Sequence, residues 1–185
     1  MRLFLCALTL FLFGTLSWSA PATGKTPDGT LIMQLPKSVA DSLPWFAIRE
    51  MKDNNPPFTK SSLMQLASKS DRTAMAYFAT WCIPCKAGVR KLVESRNTLK
   101  KHGVQVLLLN VGERDEKKIK NWVSKIGADV FTVVMDPFKR TTEGFGLGKE
   151  NEEISLPRTI LLDRNAKPMF MLGEEGTDWP SILWK

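Results

Sequence analysis

Histidine occurs once in the 185 residues and cysteine three times. A lone histidine, His102, cannot build a zinc centre, which ordinarily takes four ligands. Three cysteines exclude a small scaffold stapled by many disulfides. Twelve glycines exclude a collagen-like repeat. No apolar run reaches the roughly 20 residues of a spanning helix, which excludes a multi-span membrane protein. Acidic residues are also in deficit, 19 against 26 basic, so the formal charge is +7 and an acidic disordered tail is excluded. What remains is 43% hydrophobic and 24% charged, the balance of a soluble globular chain with one core.

The odd cysteine count is resolved at the N-terminus. Met1-Arg2 is followed by an uncharged apolar run from Leu3 to Leu16, then by small residues at Ser17, Ser19, Ala20 and Ala22. That is the layout of a secretory signal peptide, expected over residues 1–20. Cleavage fits after Ser19 or after Ala22, whereas a cut after Ala20 would leave Pro21 at the new terminus. An uncleaved membrane anchor is the alternative. In either form the rest of the chain is expected to be exported, to a periplasmic or other extracytoplasmic location. Cys6 belongs to the leader and lacks a lipobox-like setting, which leaves Cys82 and Cys85 in a compartment that permits disulfides.

Residues 21–43 carry turn formers and little periodicity, and read as a linker or irregular extension. An apolar cluster begins at Trp45, and Asp53-Asn54-Asn55-Pro56-Pro57 is turn chemistry, so a hairpin is expected around it. One or two helical turns follow from Ser62. The run Thr73–Ala79 has strand length and no polar face, which marks a strand buried on both sides. Val89, Leu92, Val93 and Leu99 define a helix stopped by Gly103. Val104–Val111 is a second buried strand, Ile119 to Ile126 an amphipathic helix, and Val130–Met135 a third strand. A weaker helix over Phe138–Phe145, a glycine loop, strands at Pro157–Leu162 and Lys167–Leu172, and a short terminal helix complete an α/β pattern with an antiparallel end.

Cys82 and Cys85 stand where the first buried strand hands over to its helix. A thiol there faces unpaired backbone N–H groups and the positive end of the helix dipole, which favour the thiolate. Cys82 is therefore the expected attacking residue, and Cys85, one turn in and better buried, the resolving one. Spacing i, i+3 puts both sulfurs on one face. Pro84 lies in the first turn, where no N–H is needed. A structural staple is a weaker reading, since so small a ring constrains little unfolded-chain entropy. A two-thiolate Cu(I) site is the metal alternative.

The segment Tyr77-Phe78-Ala79-Thr80-Trp81-Cys82-Ile83-Pro84-Cys85-Lys86 resembles the active site of thioredoxin-like proteins, and most of all their exported TlpA/ResA-like branch. The resemblance runs from about Trp45 to Leu172. It implies a thioredoxin-like three-layer sandwich over residues 44–185, with a central mixed β-sheet flanked by helices and an N-terminal hairpin extension. It implies a thiol–disulfide oxidoreductase without cofactor or metal, probing protein disulfides with Trp81 beside the thiols. Leu156-Pro157-Arg158-Thr159 is similar to the family segment whose cis proline lies against the disulfide, which gives Pro157 that role, flanked by Leu156 and Thr159. The implied direction is reduction of extracytoplasmic protein disulfides, as in preparing cytochrome c, with electrons from a membrane thiol carrier. A disulfide-forming oxidant and a non-catalytic copper-binding dithiol module are the alternatives, and a monomer is expected. Two departures stand out. Thioredoxins often have an acid six positions before the first cysteine, and exported relatives a glutamate three after the second. Here Ala76 and Gly88 stand there, so the acceptor of the buried thiol's proton is unassigned.

Other features read as ordinary. His102 at a helix end is a cap. Glu113–Lys120 is a mixed-charge solvated face. Gly144-x-Gly-x-Gly148 joins no strand to a helix and is a loop, not a phosphate site. The basic excess forms no stripe, so nucleic acid is excluded as a partner.

Overall fold

The computed structural model describes residues 23–35, 47–51, 58–148 and 152–185, with residues 47–50 and 58–62 described by backbone alone. The leader, its cleavage sites, Trp45 and the Asp53–Pro57 turn lie outside the described residues. No helix among the described residues is long and apolar enough to cross a membrane.

Nine described strands share one sheet: β1 (Gly24–Lys25), β2 (Leu31–Met33), β3 (Ala47–Met51), β4 (Phe58–Ser62), β5 (Arg72–Phe78), β6 (Val104–Val111), β7 (Thr132–Asp136), β8 (Arg158–Asp163) and β9 (Pro168–Glu174). Their order is β1-β2-β9-β8-β5-β6-β7-β3-β4. Only β5–β6 and β6–β7 are parallel pairs, so the sheet is mixed, with β5 central. The apolar run of β5 is continuous because both of its faces are covered. Ala74, Ala76 and Phe78 point to one side, with Val106, Leu108 and both cysteines; Met75 and Tyr77 point to the other, with Leu107 and Leu109.

Helices α1 (Leu63–Ala67), α2 (Ile83–Glu94), α3 (Arg96–Lys101), α4 (Glu116–Lys125) and α5 (Arg140–Gly144) supply the outer layers. Helices α2, α3 and α4 cover the first face through Cys85, Val89, Leu92, Leu99, Ile119 and Val123. Helix α1 covers the second through Leu63, Leu66 and Ala67. This is the expected three-layer sandwich, and the β3–β4 hairpin pairs through β3 with β7 at the sheet's edge.

Four expectations change. The stretch 21–43 is not wholly irregular, because β1 and β2 form a ribbon whose second strand pairs antiparallel with β9. Its strands are two and three residues long, too short to leave a sequence periodicity. The single helix expected up to Gly103 is two, divided at Ser95, which caps α2. Val130 belongs to a 3₁₀ turn, Ala128–Val130, ahead of β7. The terminal helix is a 3₁₀ turn, Trp179–Leu183, that buries Trp179 against the first face. His102 is the C-cap of α3, as expected, and stacks on Trp184 at 6.0 Å between ring centroids.

Candidate functional site

Strand β5 ends at Phe78, and four residues later Cys82 is the N-cap of α2. Its backbone is extended (φ −78°, ψ 103°), and Pro84 occupies the first turn without removing a needed donor. The N–H of Cys85 donates to Cys82 Sγ at 3.2 Å, the sulfur taking the place of a capping oxygen. The two residues form a disulfide with Cα atoms 5.3 Å apart. Cys82 is 5% exposed and Cys85 1%, so the order of burial is the expected one with a narrow margin. On either side of Cys82 stand exposed apolar groups, Trp81 at 65% and Ile83 at 84%.

The peptide bond Leu156–Pro157 is cis. Leu156, Pro157 and Pro84 line one cavity of about 360 Å³, together with Gly88, Lys91 and Glu175. The expected neighbours are thus brought together from α2 and the entry to β8. Among the described residues no group of three or more histidine, cysteine, aspartate or glutamate side chains could hold a metal ion.

Two functional-looking acids escaped the sequence reading. Glu113 is not part of a solvated face. Its carboxylate accepts the Thr80 N–H and Asn110 Nδ2–H, each at 2.7 Å, as well as the Thr80 hydroxyl. Lys118 pairs with it at 3.1 Å. Burial pushes the carboxyl up, but these donors outweigh it and hold it below the usual range. Glu113 therefore ties the Thr80-Trp81 turn to the end of β6. The rest of the run behaves as expected, with Lys120 on Glu116 at 3.1 Å in an i, i+4 pair.

Glu175 lies just past β9, opposite Gly88. A Cβ built on Gly88 would fall 2.0 Å from Glu175 Oε2, so the carboxylate fills the space where a side chain of α2 would start. Thr159 Oγ1 donates to Glu175 Oε1 at 3.3 Å. Thr159 is in register with Ala76 on β5 and Leu172 on β9, on the face that α2 covers. Burial raises the Glu175 carboxyl to about 7, against the opposing pull of Thr159 and Lys91. The loop behind it is fastened by the N-terminal ribbon. Gly176 N–H donates to Thr30 Oγ1 at 3.1 Å, Asp178 N–H to Asp28 Oδ2 at 3.1 Å, and Lys91 Nζ to Gly176 O at 2.7 Å. The missing acids at positions 76 and 88 were the only sequence signal, and they said nothing of where a substitute would come from.

A sequence model described as the AhpC/TSA family matches residues 39–167. Among curated proteins, the thiol-disulfide oxidoreductase ResA of Geobacillus thermodenitrificans is 30% identical over 91 residues, which cover 49% of this chain and 48% of that protein. The chain thus spans about half the length of the curated relatives it matches. Among solved structures, a secreted thiol-disulfide isomerase from Corynebacterium glutamicum superposes with a TM-score of 0.61 at 18% identity, over 95% of each chain. A putative thiol:disulfide interchange protein DsbE from Chlorobium tepidum gives 0.54 at 19% identity, over 82% of this chain and 86% of the other. Those likenesses establish the thioredoxin-like fold.

Proposed function

The chain belongs to the AhpC/TSA family, and from that premise we propose that it is a thiol–disulfide oxidoreductase acting on extracytoplasmic proteins. One observation carries the reading: the Cys82–Cys85 disulfide sits at the N-cap of α2, and Pro84 between the two cysteines lines one cavity with the cis Leu156–Pro157 segment. A staple needs no such position. A redox pair does, because the helix terminus and the Cys85 N–H both favour charge on Cys82 once the bond is open.

In the reducing direction Cys82 thiolate attacks a partner disulfide, forming a mixed disulfide and releasing the first partner thiolate. Cys85 then loses its proton and attacks Cys82 Sγ; the intramolecular disulfide closes and the second partner thiolate leaves. Two electrons pass from the dithiol to the partner. Trp81 and Ile83, exposed beside Cys82, form the apolar surface on which a partner docks, with Pro84, Leu156 and Pro157 along its edge. The membrane thiol carrier implied as electron donor would use the same surface to reopen the bond. The signal-like leader at 1–20 supports export, and the secreted isomerase of Corynebacterium glutamicum, similar in fold, fits that setting. Preparation of cytochrome c is the substrate class that the ResA-like resemblance favours.

A Cys85→Ser variant expressed in the native compartment tests this. It is expected to accumulate mixed disulfides through Cys82, and identification of the bound proteins names the substrates. Equal trapping by Cys82→Ser, or trapping by neither, overturns the assignment.

A further inference from the structure

When Cys85 closes on the mixed disulfide it must shed a proton in a nearly dry place. The thiol is 1% exposed and lies within the main core cluster, so bulk water does not reach it freely. Ala76 and Gly88 offer no base. Gly88 is one turn beyond Cys85 on the buried face of α2. Side chains so related have Cβ atoms about 5–6 Å apart. Glu175 Oε2 is 2.0 Å from the Gly88 Cβ position, and therefore within about 8 Å of the Cys85 Cβ. Bridging water spans a separation of that size, and the cavity of about 360 Å³ beside Gly88, lined also by Lys91, Ser155 and Glu175, has room and polar partners for it.

We propose that Glu175, at the end of β9, is the proton acceptor for the Cys85 thiol, supplying from the sheet an acid that α2 lacks. This rests on the roles given above to Cys82 and Cys85. The Cys85 S–H bond breaks as its proton passes to the Glu175 carboxylate. The freed sulfur pair forms the bond to Cys82 Sγ, and the Cys82–partner S–S bond breaks with its electrons leaving on the partner sulfur. Protonated Glu175 then returns its proton to water or to that departing thiolate.

The surroundings suit the task. Ionisable groups on the elements around Glu175 are Lys91 on α2, Arg158 on β8, Glu174 on β9, and Asp28 and Asp178 behind the loop. Glu174 is turned outward to Lys25 at 2.7 Å, and Asp28 receives Thr26, Thr30 and the Asp178 N–H. Lys91 is held over the loop by Gly176 O. Glu175 is thus the one acid among them that is packed, half-buried, against α2, and its carboxyl, raised to about 7, gains and loses a proton near neutral pH.

The test is a rapid-mixing reaction of the reduced full chain with the aromatic disulfide dithiobis-nitrobenzoate, which releases one coloured thiolate when Cys82 attacks and a second when Cys85 resolves. Glu175→Gln is expected to leave the first release within about twofold and to slow the second by roughly tenfold or more near neutral pH, flattening its pH profile. Moving the acid back, as Gly88→Glu in a Glu175→Ala background, is expected to restore the second release and its pH dependence. A second release unchanged in Glu175→Gln, or one whose wild-type profile shows no inflection near neutral pH, overturns the proposal while leaving the cysteine roles intact. If Glu175→Gln fails to fold, that wild-type profile decides. A first release that survives in Cys82→Ser overturns the cysteine roles instead.

Discussion

At the scale of single residues, two half-buried carboxyls are tuned in opposite directions. Glu113 is surrounded by donors and stays charged; Glu175 has one hydroxyl and a lysine at the cavity wall, and burial prevails. Glu113→Ala leaves the Thr80 N–H and the Asn110 amide without their acceptor, and is expected to lower the unfolding free energy by about 2–3 kcal/mol in urea titration. Glu175 acts on stability through pH. Its folded value, about 7, lies above its ordinary value of 4.5, so between these the folded chain holds a proton that the unfolded chain has released. The resulting stabilisation is present in full below the lower value and lost as pH rises through the upper. A displacement of that size corresponds to about 3 kcal/mol. Glu175→Gln removes the titration, so its stability relative to the parent is expected to rise by up to that amount as pH goes from about 5 to about 8. Equal pH dependence of the two proteins would place the carboxyl in water.

At the scale of elements, the N-terminal ribbon and α2 hold Glu175 between them. Gly88 and Gly176 are the two points of close approach, and they differ in what a methyl group would meet. At Gly88 it meets the tip of the flexible Glu175 side chain; at Gly176 it falls 2.2 Å from the backbone oxygen of Asp28. Gly88→Ala is therefore expected to expel the carboxylate while strengthening α2 by up to about 1 kcal/mol, since alanine is the better helix former. Resolution by Cys85 should slow in a protein that melts no lower. Gly176→Ala has no such outlet, must push the ribbon from the loop, and is expected to lower the melting temperature as well. Thermal melts read beside the two thiolate releases separate these outcomes.

At the scale of the molecule, long elements with one dominant pattern were legible. The unbroken apolar runs of β5 and β6 announced a sheet covered on both faces, and the strand-to-helix position expected for Cys82 is the N-cap it occupies. Pro157 was reached by resemblance, and its segment meets Pro84 across the cavity. What escaped depends on contacts between distant segments. The ribbon strands are too short for periodicity, and β2 joins the sheet by pairing with the distant β9. Glu113 looked solvated because its neighbours in sequence are charged, while its partners at Thr80 lie 33 residues away. Glu175 had no local signature at all, since what defines it is the absence of a side chain at Gly88.

The proposed function requires that the Cys82–Cys85 bond opens and closes in service rather than holding the fold. Equilibration of the chain in thiol–disulfide buffers of graded potential, followed by acid quenching and thiol counting, tests it most directly. One two-electron transition between the dithiol and the disulfide is expected, at a potential above about −300 mV. A bond that stays closed throughout that range would be a structural staple and would overturn the redox role of the pair.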